Sequence, residues 1–501
     1  MRMRSFVLWL LLLSGMLSVN AQQPAQSLPK MPAQPLQEDV ALLKKILEAN
    51  HPSLYWYISK DSLDACFNDV ISGITDSLNE VQFKNKVAWL VSKIRCGHTA
   101  VRFSKAYGKV APAFRYPVFP LSIKTWQDSL VILSSILPKD SIFKRGTVIT
   151  GINGMSNRFL LDTIFRFIST DGYADNYKSQ LISGNFGGWL KTIMGIDSTY
   201  TISYIDTAGH EATTVIKSFS PDTSAQSRRA VVPARPFPPG KPTRKQLRQA
   251  NLLNKRAMVI DTASSTAFIR LTTFTGGRLR SFFRRSFKAM RKQHIKNLVI
   301  DMRENGGGNV GNSITLTRYL ADTAFKIGDS VTAISRSFRY GRYIKPVWTY
   351  WLAMRFTAHK ADDGLIHAGR YERHYFKPKT RNHFNGNVYL VQGGLTFSAA
   401  TMCIATLQGQ SNIKIVGEET GGGYYGNSAM HIPVITLPNS GLQISLPMYR
   451  LVMDAARPKG HGIIPDIVIN PSSEAIKKGI DLKIEVIKEM ISKSNAAVSV
   501  H

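Results

Sequence analysis

The chain has 501 residues, 44% of them hydrophobic and 10% aromatic, and its 64 Lys and Arg against 33 Asp and Glu give a formal charge of +31. This composition excludes a disordered or low-complexity protein, and the length allows roughly two to four domains. The three cysteines, Cys66, Cys96 and Cys403, are too few for a disulfide scaffold of this size. One Cys66–Cys96 bridge beside an inert Cys403 and three unpaired thiols both fit that count.

The first residues, "MRMRSFVLWLLLLSGMLSVNAQ", combine two arginines, a short apolar run and a small residue at Ala21. This pattern predicts a signal peptide over 1–21, cleaved after Ala21, and a secreted or periplasmic protein. No later run is long and apolar enough to span a bilayer, so no transmembrane segment is expected in the mature chain. After a Pro/Gln-rich linker, "EDVALLKKILEAN" and "EVQFKNKVAWLVSKI" space their apolar residues by three and four. That spacing predicts an N-terminal helical domain over 22–110, with the turn "RCGHTAV" (95–101) at the end of its helical stretch.

Between 111 and 220 the pattern changes. "FPLSIKTW", "SLVILSSI", "GTVITGING" and "TYTISYID" are short strand-like runs, with "NRFLLDTIFRFIST" as a helix between them. The strand, "INGM" turn and helix resemble the core of a PDZ domain, which binds extended peptides by strand addition and often captures a terminal carboxylate. Residues 221–256 are rich in Pro, Arg and Lys and read as an exposed basic linker or insertion. From 257 to 480 strands and helices alternate, as in "STAFIRLTTF", "LRSFFRRSFKAMRKQ", "NLVIDMR", "GNVYLVQGG" and "SAATMCIATLQG". This order predicts an α/β domain with a largely parallel or mixed sheet. Residues 481–501 are assigned as a C-terminal tail.

Positive charge gathers in 228–256 and again in "SRSFRYGRYIKPVW" (335–348). A polyanionic envelope surface is the expected partner of the basic insertion. Specific nucleic-acid binding is not expected, because no zinc-knuckle or helix-turn-helix spacing is present.

Three segments carry residues suited to chemistry. Ser398 follows a strand and a Gly-Gly turn and opens a helix. It suits a simple N-cap, and it equally suits a nucleophile whose neighbouring backbone N–H groups and helix dipole favour negative charge. In "DMRENGGGNVG" (301–311) the glycines can turn the chain with positive φ, or expose a backbone N–H to a developing oxyanion. Asp301 and Arg303 read as structural partners of that loop. His98 in "CGHTAV" lies in a turn, and an imidazole of ordinary pKa near 6.5 can act as general base for a serine hydroxyl. The histidines are scattered without metal-ligand spacing, so neither a metal nor a cofactor is expected.

Taken together, "GHTAV", "FIRLTTF", "LVIDMRENGGG", "VYLVQGGLTFSAAT", "IKIVGEETGGG" and "GHGIIPDIVI" resemble, in the same order, the serine peptidases related to C-terminal processing peptidases and the tricorn protease core. The resemblance implies a crotonase/ClpP-like catalytic core over 257–480 and peptide or protein substrates. The Ser-Lys version of the family needs a lysine in the glycine-rich loop, and "GEETGGGYYGNS" has none. The tricorn-like version pairs serine with histidine, which points to Ser398 and His98. By the same resemblance, Ala399 and Gly306 or Gly307 supply the oxyanion N–H groups. Gly97 stands where that version has a serine, and no glutamate precedes "GIIPD"; Glu418, Glu419 or Thr99 then remain to orient His98. Non-catalytic retinoid-binding relatives make a peptide- or hydrophobic-ligand-binding protein on the same scaffold the alternative reading.

Overall fold

The structure, a computed structural model, describes residues 28–111, 117–137, 139–220 and 242–498. The predicted signal peptide and residues 221–241 of the predicted linker lie outside the described residues.

Three helices, α1 (Ala33–Asn50), α2 (Lys60–Ser72) and α3 (Glu80–Ser92), begin the fold. α1 buries Leu36, Val40, Leu43 and Leu47, one stripe at helical spacing. α3 starts on a reciprocal cap between Asn79 and Gln82, as its sequence requires. These helices do not enclose a core of their own: their buried residues join one apolar cluster with the central sheet described below.

The β-rich segment is an antiparallel sheet in the order β1 (Leu121–Trp126), β2 (Ser129–Ser135), β3 (Val148–Ile152), β4 (Thr199–Ile205) and β5 (Glu211–Lys217). Helices α4 (Asn157–Phe165), α5 (Asp175–Gly184) and α6 (Phe186–Met194) lie between β3 and β4 in sequence. This segment has its own core, built around Ile123, Ile132, Ile152, Leu160 and Ile202.

Part of the stretch read as linker is helical: α7 spans Arg244–Lys255 and buries none of its side chains. Its sequence is too polar for an apolar stripe, but Thr243 and Gln246 form a capping box that starts the helix. The central sheet runs β6 (Arg256–Asp261), β7 (Thr266–Leu271), β8 (Asn297–Asp301), β9 (Asn387–Gln392), β10 (Ile413–Gly417) and β11 (Ile467–Val468). β6 and β7 form a hairpin and every later pairing is parallel. Between the strands lie α8 (Leu279–Lys292), α9 (Val310–Leu320) and α10 (Ala399–Leu407). Among the described residues no helix is long and apolar enough to cross a membrane.

Alternation along the strands puts side chains on two faces. Leu298, Ile300, Val388, Leu390, Ile413 and Ile415 pack into the main core with Phe283 and Phe287 of α8 and Ile404 of α10. Val299, Tyr389, Val391 and Val416 point the other way, against Ile487 and Ile491. Those two isoleucines belong to α11 (Leu482–Val498), so the segment assigned as a tail forms the outer layer of the sheet. All three cysteines are free thiols.

Phe283 is fully buried, so Phe283→Ala is expected to lower unfolding stability by about 3–5 kcal/mol. Thermal or urea unfolding of the two proteins measures the difference.

Candidate active site

Ser398 stands where β9 gives way to α10, with φ 53° and ψ −123°. That left-handed backbone is strained for a residue with a side chain, by about 1–3 kcal/mol, and such strain gathers at functional sites. Although Ser398 occupies the N-cap position, its side chain makes no capping hydrogen bond. The hydroxyl is spared the role that propensity alone would give it. The turn before it is locked by Thr396, whose hydroxyl accepts from Gly393 N–H (3.0 Å) and donates to the Met302 carbonyl (2.9 Å).

Two glycine loops close on this turn. Phe397 N–H donates to the Asn305 carbonyl at 3.0 Å, joining the loop after β8 to the residue before Ser398. Gly307 has φ 90°, and a Cβ there would lie 2.7 Å from Ser398 Cβ and 2.9 Å from Ala399 N. Only glycine permits that approach. From the other side, Gly421 and Gly422 N–H both donate to the Thr396 carbonyl at 3.1 Å, and a Cβ on Gly422 would sit 3.0 Å from Ser398 N. Asp301 and Arg303 are the expected structural pair, at 2.9 Å, and Arg303 also reaches Asp481 at 2.8 Å.

The oxyanion candidates separate. Gly307 N–H already donates to the Asn305 side chain at 2.9 Å, so it is committed within its own loop. Gly306 lines the cavity in front of Ser398. Ala399 N–H lies at the first turn of α10, outside the helical ladder.

His98 is brought to Ser398 from the other end of the chain. Directly after it, Val101–Arg102 pairs antiparallel with Gln443–Ser445, in the register Val101↔Ile444. His98 and Ser398 line one cavity of about 580 Å³, together with Gly306, Gly308, Tyr350 and His431. The His98 ring rests on Phe397, centroids 4.8 Å apart, and Tyr177 stacks on Phe397 at 5.0 Å. This explains Gly97: a Cβ at that position would fall 2.5 Å from Phe397 Cζ, so the ring occupies the space that a serine would need. Of the other histidines, His431 shares the cavity, while His461 pairs with Glu419 at 3.6 Å.

The three candidates for orienting His98 are engaged elsewhere. Glu418 is buried against the Lys483 ammonium at 2.5 Å and accepts from Gln180 Nε2 at 3.1 Å. Glu419 accepts from Gly462 N–H at 2.7 Å as well as pairing with His461. The Thr99 hydroxyl accepts from His51 Nε2 at 2.9 Å. His51 is bound to be the donor there, since its Nδ1 accepts from Ser53 N–H.

A carboxylate that the sequence did not single out lies behind His98 instead. Asp171 is buried and accepts from Gly97 N–H at 2.8 Å with one oxygen and from Gly423 N–H at 3.4 Å with the other. It therefore ties the loop carrying His98 to the glycine loop that cradles Ser398. A His98 ring nitrogen, the Cys96 sulfur and an Asp171 oxygen all lie within 4.8 Å of one another. His98 Nδ1 is sealed from solvent without a hydrogen-bond partner among the described residues. Burial pulls His98 down to about 4 and pushes Asp171 up to about 7, against the lowering effect of its two backbone donors. Burial also lifts the Cys96 thiol to about 12, so it stays protonated. Within the trio the Asp171 oxygens accept from backbone donors and the Cys96 thiol lies 3.9 Å from the Ser428 carbonyl. Asp171 lies 74 positions from Gly97 in an unremarkable turn, "STDGY", and no local pattern points to it.

Residues 265–469 match the model described as peptidase family S41. Mature CPAF complexed with lactacystin superposes with a TM-score of 0.60 at 13% identity, covering 93% of this chain and 98% of that one. Mature CPAF alone gives 0.59 at 13% identity, over 89% and 94%. A putative peptidase from Parabacteroides merdae gives 0.44 at 13% identity, over 92% and 97%. At that identity the likeness to the two CPAF structures is one of fold. No curated protein sequence matches the chain.

The Glu418–Lys483 pair serves stability in this arrangement. Glu418→Gln would leave a buried ammonium without its counter-charge, at a cost of about 3–5 kcal/mol. The loss should register as a lowered melting temperature.

Proposed function

We propose that the chain is a serine endopeptidase in which Ser398 is the nucleophile and His98 the general base. The single observation that carries this reading is the strained, uncapped Ser398 facing His98 across a cavity bounded by a glycine loop. In the first step Ser398 Oγ bonds to the scissile carbonyl carbon and its proton passes to His98. The carbonyl oxygen takes up the negative charge and is held by the N–H groups of Ala399 and Gly306. Collapse of that intermediate breaks the C–N bond, and the leaving amine takes the proton from His98. A water then gives a proton to His98 and attacks the ester, releasing the acid and restoring Ser398.

Asp171 is the positioning residue of this reading, acting through His98. Its bond to Gly97 N–H fixes the backbone next to the base, and its negative charge favours the imidazolium that forms during attack. Also near the pair are the neutral Cys96, Tyr57 and Tyr177, Arg95, whose guanidinium lies 4.1 Å over the Tyr173 ring, and Arg102 and His431 across the cavity. The arginine-bearing leader at 1–21 supports a secreted or periplasmic enzyme, and the antiparallel sheet of 117–220 supports a PDZ-like module that presents substrate tails.

Wild-type protein should react with a fluorophosphonate probe, and Ser398→Ala should not. Absence of labelling in well-folded protein would overturn the reading in favour of a binding protein. His98→Ala should lower kcat at least about a thousandfold, whereas an equal loss from His431→Ala alone would move the base to that residue.

The Asp171 role has its own signature. Above pH 7 the ionised carboxylate supports the imidazolium; as pH falls through about 7 it takes a proton and that support is lost. Wild-type kcat/KM should therefore fall on the acid side near pH 7. Asp171→Asn should give a lower plateau whose acid limb moves toward pH 4, where His98 itself is protonated. An unchanged pH profile would mean that Asp171 only supports the fold.

A further inference from the structure

Beside the catalytic cavity lies a second, larger one of about 1120 Å³. The two meet at Val310, Met430 and His431, which line both. Its walls carry four arginines and a lysine from well-separated parts of the chain: Arg280 and Arg284 on α8, Arg318 on α9, then Arg370 and Lys379. No carboxylate lines it, and among the described residues none of these five cations forms an ion pair.

The cations are held where a ligand would meet them. Arg280 and Arg284 are one helical turn apart on the exposed side of α8, whose other side is fixed in the core by Phe283 and Phe287. Arg318 is steadied by a bond from its Nε to the Lys377 carbonyl at 2.6 Å, and the Lys379 ammonium stands 5.6 Å above the Tyr319 ring. Asn309, Val310 and Gly311 also line the space, so the positive end of the α9 dipole opens onto the same wall. Five like charges around one concavity repel one another, and a ligand bearing several carboxylates relieves that repulsion.

We propose that this basic cavity is the extended substrate subsite of the enzyme and that it selects acidic peptide segments flanking the scissile bond. The inference rests on the peptidase reading for the cavity's link to catalysis, while binding tests it independently. An acidic segment seated among Arg280, Arg284, Arg318, Arg370 and Lys379 enters the catalytic cavity past Val310 and His431. Selection then comes from the flank of the substrate as well as from the side chain next to the cut bond.

The test uses full-length protein and two fluorescent peptides that differ only in having four Glu or four Gln on one flank, made with the flank on either side. Binding to the Ser398→Ala protein is read by anisotropy and cleavage by the wild type is read as kcat/KM. The Glu peptide should bind at least about tenfold tighter, with a gap that narrows between about 0.05 and about 0.5 M salt. The double substitution Arg280→Glu with Arg284→Glu should collapse that ratio or invert it, and Arg318→Gln with Arg370→Gln, milder for folding, should shrink it. Equal affinity for the two peptides would overturn the proposal. So would a preference untouched by either double substitution, since the surplus charge of the whole chain would then be its source. Charge-selective binding without any cleavage by wild type would uphold the subsite and sink the peptidase reading alone.

Discussion

The site depends on one constraint: a serine held in a left-handed backbone conformation by loops that only glycine can supply. Ser398 relaxes unless its neighbours are fixed, and each neighbour is fixed from a different direction. Asn305 receives Phe397 N–H from below, Gly307 abuts the Ser398–Ala399 peptide, and the Thr396 carbonyl gathers Gly421 and Gly422. The parallel strands β8, β9 and β10 bring these loops to the same edge, because parallel neighbours end on the same side of a sheet. Sheet, loops and serine conformation are thus one structural decision. Removing a glycine from either loop would displace the serine before it disturbed the fold.

Behind His98 the same economy recurs with a buried carboxylate. Asp171 joins Gly97 to Gly423, so the loop of His98 and the loop around Ser398 share one hydrogen-bonding centre. Its burial is unfavourable for a charge, and the two backbone donors only partly offset that. A group kept under such conditions belongs where proton affinity matters.

Much of the fold was legible because its signals are local. The strand runs of 257–417 and the helices of 33–92 announce themselves by period, and the glycine strings around 306 and 421 mark close backbone approach. The misses have a common physical origin. α7 has no buried face, and the apolar residues of α11, Ile484, Ile487, Met490 and Ile491, find their partners only once the sheet is present. Gly97 read as a departure from a familiar motif until Phe397 was seen to fill the space of a side chain. Asp171 and the basic cavity are assembled by long-range packing: the charge runs visible at 228–256 and 335–348 supply none of the five cations that line it.

The pairing of Val101–Arg102 with Gln443–Ser445 has a consequence for when the molecule can act. His98 and Ser398 meet only across a loop closure of about three hundred residues, about the slowest kind of contact for a chain to make. A chain emerging stepwise from a ribosome carries the two halves apart until residue 445 is out. The cavity that His98 and Ser398 line is therefore completed only when nearly the whole chain is available to fold.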